Sequence, residues 1–254
     1  DGHCLRAYKY FGSKMPDIVE TVESINSIEI KYPDLRQLSK SPTFLLTYMG
    51  TWKGLMRQFG FKEAVAKQIE KNYHELYSVS DTWIKEQIEE AAKCGYATLA
   101  FGLRLRTPIL PQVVLTSNSI PYQAHKEVKT VGNAHGQSYG LLNTRAGNEF
   151  QQRVWDSKWS TSVLPICQIH DSLYYMIRNS LNCLHWVNTN LIECMEWNQL
   201  PAIQHPVVKI KANLEVYYPD WSTPIKIPNR IERSDLKELL DNATRKIHEQ
   251  VLRS

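Results

Sequence analysis

Arg36, Lys40, Phe44 and Tyr48 recur at every fourth position, and on a helix such steps bring side chains along one slowly drifting stripe. Two cations then lie toward the start of the stripe and two rings further along, a set suited to a polyphosphate followed by a stacked base. The same spacing fits an amphipathic helix whose rings are core and whose cations reach past it to water. A second constellation is His170-Asp171-Ser172, set between the apolar runs 164–169 and 173–177. Two β-prone runs this close predict a tight hairpin with those three residues at its tip. A carboxylate there is rigidly held and open to solvent and to a metal ion. An ordinary turn would use the same residue types.

The stripe needs a helix from about Leu35 to Thr47, with Pro42 inside it, where the missing N–H predicts a bend. Upstream, Ile18, Val19, Val22, Ile25 and Ile28 predict a helix over 17–30, broken by Tyr32-Pro33-Asp34. Two further helices, 62–77 and 81–93, are expected to pack antiparallel, the second capped by Ser80 or Asp81 and ended by Gly95. The runs 96–100 and 103–106 form a small hairpin hinged at Phe101-Gly102 and stopped by Pro108. The Pro-, Ser-, Asn- and Gly-rich run 110–140 has no sustained period and predicts a long surface loop. Helix resumes over 143–160, and after the second hairpin come a helix over 180–197, a strand over 207–217 and a closing amphipathic helix over 230–253. Asp156 follows the helix begun at Asn143 and is expected to face away from Asp171.

The chain has 254 residues, 43% hydrophobic and 22% charged, which excludes disorder and allows one large domain or two subdomains sharing a cleft. No apolar stretch approaches the ~18 residues of a membrane span. Residues 1–11 lack the pattern of a signal peptide, and the absence of an initiator Met points to a start within a longer protein. Five cysteines without a C-x-x-C pair point to free thiols in a reducing, cytoplasmic compartment. The formal charge of +4 is too small to identify a nucleic-acid partner, but residues 36–71 carry seven basic residues against two acidic. The last 24 residues carry five of each sign and read as a solvated helix face.

Taken in order, these features resemble the family A DNA polymerases, in particular a bacteriophage-type replicative member. Residues 36–50, from Arg36 through Lys40, Phe44 and Tyr48 to Gly50, are similar to that family's fingers-helix motif R-x-x-x-K-x-x-x-F/Y-x-x-x-Y-G. Gly95-Tyr96 through Gly102-Leu103-Arg104 and Pro108 resembles G-Y-x-x-T-x-x-G-R-R-x-x-x-P. Asn148 to Gln152 resembles N-x-x-x-Q, Gln168 to Ser172 resembles the palm motif V-H-D-E, and Asp1-Gly2-His3 resembles D-x-H. These landmarks span residues 1–172, and Pro206 with Trp221 fits the terminal palm segment.

The resemblance implies an α+β fold: a helical fingers region with its small hairpin over 1–111, then a C-terminal palm portion over 112–254. The antiparallel palm sheet would receive the 164–177 hairpin and the 207–217 strand, with thumb and upstream palm strand missing. It implies that His3, Arg36 and Lys40 hold the triphosphate of an incoming deoxynucleotide, Lys40 also assisting the leaving pyrophosphate. Phe44 would pack on the sugar, its lack of a hydroxyl disfavouring dideoxynucleotides, and Tyr48 would lie under the templating pair. Arg104, Asn148 and Gln152 would contact template and primer, Gln152 from the minor groove. Asp171 would be a ligand of catalytic Mg²⁺, and His170 would lie against the primer end. The implied partners are primed DNA template, deoxynucleoside triphosphates and the N-terminal polymerase portion, with no membrane.

Departures from the motifs carry chemistry of their own. Ser172 stands where Glu is usual, Leu103 replaces the first Arg of G-R-R, and Met49-Gly50 stands where Y-G is usual. The other metal-binding Asp of the family lies upstream of D-x-H, and two Mg²⁺ ions need carboxylates from two strands. The expectation is therefore a polymerase part that is inactive alone. A non-catalytic nucleic-acid-binding module using Phe44, Tyr48 and Trp52 in the basic segment is the alternative. Zinc at Cys167, His170, Cys183 and His185 is disfavoured because 167 and 170 point to opposite faces of a strand. The glycines at 132, 136, 140 and 147 lack the G-K-[ST] of a phosphate loop. A hydrolase triad at the tip is disfavoured because adjacent turn residues diverge.

Overall fold

Asp1 caps the first helix: its carboxylate accepts from the N–H groups of His3 and Cys4 at 2.7 and 3.3 Å. That helix, α1 (Gly2–Phe11), was not expected from the sequence, and it buries Cys4, Ala7, Tyr10 and Phe11 at helical spacing. The computed structural model describes residues 1–117, 120–218 and 220–251. The chain divides into two compact units, Asp1–Ser138 and Tyr139–Ser254.

In the first unit, the helix expected over 17–30 is two short pieces, α2 (Val22–Asn26) and α3 (Ile28–Lys31). The N–H of Ser27 joins them by bonding to the carbonyls of Glu23 and Ser24. α4 (Pro33–Thr47) runs unbroken through Pro42 and buries Ser39, Pro42, Thr43 and Leu46. It packs on α1, and α5 (Trp52–Phe59) and α6 (Glu63–Leu76) complete that core with Leu55, Ile69 and Tyr73.

α7 (Ser78–Cys94) begins earlier than the expected cap at Ser80 or Asp81, because only Tyr77 separates it from α6. With no loop between them the two helices do not form the expected antiparallel pair; α7 packs instead against α8 (Tyr122–Ser138). Gly95 ends α7 in the left-handed conformation, as its type requires. It leads into the expected hairpin of β1 (Tyr96–Thr98) and β2 (Arg104–Arg106). α8 replaces much of the expected surface loop, and Ile88, Ala91, Ala97, Leu110, Ala124 and Val131 bury together around it. This packing belongs to the first compact unit, which runs to Ser138.

In the second unit, α9 (Leu141–Trp155) and α10 (Leu181–Met195) pack on each other and on one face of the hairpin β3 (Val163–Ile169) and β4 (Ser172–Ile177). Ser172 pairs with Ile169, so the tip is the two residues His170 and Asp171 rather than three. The strand expected over 207–217 is confined to β5 (Leu214–Tyr217), which pairs with β6 (Pro224–Ile227), a strand not expected. Among the described residues the sheets are three separate two-stranded ribbons, so β5 does not join the 164–177 hairpin. α11 (Arg233–Val251) closes the chain with Leu236 and Ile247 against Leu184, Ile225 and Ile227. The remainder of the expected last helix, to residue 253, lies outside the described residues. The whole is the expected α+β class, helices first and small antiparallel ribbons between them.

Candidate functional site

In the first unit, the packing of α4 on α1 gathers the residues of the stripe with those of the chain start. Thr43 and Ser39 turn toward α1: Thr43 shares a hydrogen bond with the Tyr10 hydroxyl at 3.0 Å, and the Ser39 hydroxyl donates to the carbonyls of Arg36 and His3. With that face buried, the rings of the stripe are turned outward, Phe44 54% and Tyr48 43% exposed. They are not core, which removes the amphipathic-helix account of their spacing. Tyr48 sits at the C-cap of α4 rather than inside it.

The cationic end of the stripe meets α1. Arg36 Nη2 lies 2.7 Å from the carboxylate of Asp1 and 3.5 Å from that of Glu29, while its Nε is buried without a partner among the described residues. One carboxylate thus caps α1 and anchors a guanidinium of α4. Lys40 has no ion pair among the described residues, and its charge acts on His3. The His3 imidazole has its pKa held below the ordinary value by burial first, then by the charges of Arg6, Lys40 and Arg36. Arg6, one turn beyond His3, is a cation the motif did not mark; its Nη1 lies 3.1 Å from His3 Nδ1. The arrangement suits a multiply charged anion beside two exposed rings. Arg104, on β2, is exposed with its guanidinium 4.7 Å from the centre of the Tyr96 ring.

In the second unit, the carbonyl of His170 accepts from the amide of Asn143 at 3.3 Å. His170 has φ of 52°, a conformation costly for a residue with a Cβ, and Asn143, buried on α9, holds it there. Sequence reasoning missed Asn143; its signal was a polar residue on the face of α9 that presents Gly147 to Leu173 and Tyr175. Asp171 is exposed, and no hydrogen bond or ion pair reaches it among the described residues. Asn148 and Gln152 lie exposed on α9, opposite buried Ala146, Phe150 and Val154. Gln152 donates to both oxygens of Asp156 at 3.1 and 3.2 Å, so Asp156 shares its face. Trp221 stacks on Tyr174 of β4, its ring 5.1 Å away and nearly parallel, which ties the terminal segment to the hairpin.

No family model and no curated protein matches the chain. Among solved structures, the chain is similar to the POL domain of Pol1 from M. smegmatis, determined in complex with DNA primer-template and dNTP. The TM-score is 0.61 at 19% identity, over 83% of this chain and 32% of that one. The likeness is one of fold. The chain has the α+β fold of a polymerase domain's fingers and palm, and spans about a third of the length of the chain it matches.

A two-ion Mg²⁺ centre needs carboxylates converging from separate strands. Among the described residues no three His, Cys, Asp or Glu side chains gather into such a set. Asp171 stands at its tip beside Ser172, with no second carboxylate there. The described residues of this chain alone do not fit the centre. Among the described residues no helix is long and apolar enough to cross a membrane.

Proposed function

We propose that this chain is the C-terminal fingers-and-palm part of a template-directed DNA polymerase of the family A kind, close to its bacteriophage-type replicative members. The observation that carries the reading is the convergence on one helix of Arg36 and Lys40, beside His3, with the outward-turned rings of Phe44 and Tyr48. His3, Arg36 and Lys40 hold the triphosphate of a deoxynucleotide, and a charge-assisted clamp on phosphate oxygens is worth most where it is preorganised. The Asp1 anchor supplies that preorganisation for Arg36. Phe44 packs on the sugar and Tyr48 on the templating base. Arg104, Asn148 and Gln152 contact primed template, and His170 lies at the primer end. Asp171 is the one metal-ligating carboxylate this part contributes, and the upstream palm portion supplies the rest. The part alone therefore binds nucleotide and DNA without joining them.

Extension of a labelled primer tests this directly. The purified chain is expected to give no product, and the chain preceded by an upstream palm portion is expected to give product that Asp171→Asn abolishes. Extension by the chain alone would refute its dependence on the missing portion; none in the combined protein would refute the polymerase reading.

The ammonium groups of Lys53 and Lys67 lie 5.6 and 4.7 Å from the ring of Trp52, a basic-aromatic pairing that favours the second reading, a non-catalytic nucleic-acid-binding module. Its binding to primed DNA would fall with salt and ignore deoxynucleotides. The first reading requires that the matching deoxynucleotide tighten it.

A further inference from the structure

We propose that Arg6 is a positioning residue that holds the His3 imidazole neutral with its proton on Nε2, so that the ring meets an anion as a hydrogen-bond donor. This rests on the reading of His3, Arg36 and Lys40 as a triphosphate cradle, which does not say in what protonation state His3 works.

Arg6 lies three residues beyond His3 on α1, a spacing that brings side chains together, and its Nη1 is 3.1 Å from Nδ1. A guanidinium has only donors. Nδ1 must therefore accept, and a neutral imidazole that accepts at Nδ1 carries its proton on Nε2. Arg6 is itself fixed from a distant element. Its Nε donates to the Tyr77 hydroxyl at 2.5 Å and its guanidinium lies over that ring, 5.7 Å from the centre. Tyr77 joins α6 to α7, so the orientation of Arg6 is set by the core and not by α1 alone.

The surrounding charges act in the same sense. Arg6 on α1 and Lys40 and Arg36 on α4 all act on His3 with positive charge. The nearby carboxylates of Asp1 and Glu29 are engaged by Arg36. Protonating His3 would add a cation among cations and set its Nδ1–H against a guanidinium that cannot accept. The consequence for a bound triphosphate is a division of labour: Arg36 and Lys40 supply charge, and His3 supplies one directed N–H that does not switch off across the neutral range.

Imidazole ¹⁵N correlation spectra of the full chain, between about pH 5 and 8, test the assignment, with His3→Gln identifying the signals. In the wild-type chain, His3 Nδ1 is expected unprotonated at pH 7, with a titration midpoint below about 6.5. Arg6→Met keeps the stem and removes the donor, and the midpoint should move up toward about 6.5. Arg6→Lys restores a pure donor and should bring it back down. A proton on Nδ1 in the wild-type chain, or an unmoved midpoint in Arg6→Met, would overturn the assignment. Should His3→Gln or Arg6→Met fail to fold, sequence-specific assignment of the wild-type spectrum still reads whether His3 Nδ1 carries a proton. Inorganic tripolyphosphate should shift the His3 Nε2 signal with the ring still neutral. If it leaves His3 unmoved while Arg6→Met raises the midpoint, the cradle reading fails and the Arg6 assignment stands.

Discussion

At the scale of single residues, His135 shows how burial sets chemistry apart from any candidate site. It is 3% exposed on α8, with the Trp83 ring 5.0 Å away edge-on and Nε2 without a partner among the described residues. Burial pushes its pKa below the ordinary value. The folded chain then binds fewer protons there than the unfolded chain once pH falls below about 6.5. Stability therefore rises with pH, and is lost as pH falls from that value toward the folded pKa, with a slope of at most about 1.4 kcal/mol per pH unit. His3 contributes in the same direction for its own reasons. Urea unfolding is expected to give a lower free energy at about pH 5.5 than at 7.5. His135→Phe, which keeps a ring against Trp83, should make that dependence shallower; parallel profiles for the two proteins would show that His135 does not cause it.

At the scale of elements, α4 depends on how it ends. The N–H of Gly50 bonds to the carbonyl of Leu45 and that of Met49 to Leu46, the paired closure of a helix C-terminus. Met49 takes the left-handed position at φ 58°, which a glycine more often fills. Gly50 is needed for space: a Cβ there would lie 2.5 Å from the Leu45 carbonyl oxygen, a backbone atom that cannot yield without opening the closure. Gly50→Ala is expected to cost about 2 kcal/mol in urea unfolding, whereas a change under about 0.5 kcal/mol would mean the closure is not required. α4 itself and the β3–β4 hairpin were legible in the sequence because a four-residue period and a short turn between two apolar runs are local signals. α8 was not, because Gly132 and Gly136 read as breakers. Gly132 is in fact where α8 comes close to Met49, whose sulfur a Cβ would meet at 2.2 Å. Of the proposed cradle, Arg36 and Lys40 were legible for the same local reason, on the stripe they share with Phe44 and Tyr48. Arg6 and Asn143 were not, since each acts through a partner remote in sequence, Tyr77 and His170.

At the scale of the whole molecule, both units leave large apolar side chains exposed, Ile30 and Val79 in the first among them. In the second, β4 turns Leu173, Tyr175 and Ile177 toward α9 and α10, so alternation turns Tyr174 and Met176 the other way. Register places Leu164 beside Met176 and Cys167 beside Tyr174 on that outer face. Leu164, Ile169 and Met176 are 48, 45 and 61% exposed, and Trp221, stacked on Tyr174, is 62% exposed. Among the described residues this two-stranded ribbon has both edges unpaired and an apolar face only partly covered by Trp221, which is marginal in water and invites association. The isolated chain is therefore expected to self-associate as concentration rises, read by light scattering, and to bind a hydrophobic dye. Met176→Lys places a charge in the middle of the face, away from the core under Leu173 and Tyr175. It should suppress both effects while changing the unfolding free energy by no more than the scatter of a surface substitution, within about 0.5 kcal/mol. Unchanged self-association in Met176→Lys would place the sticky surface elsewhere than this ribbon.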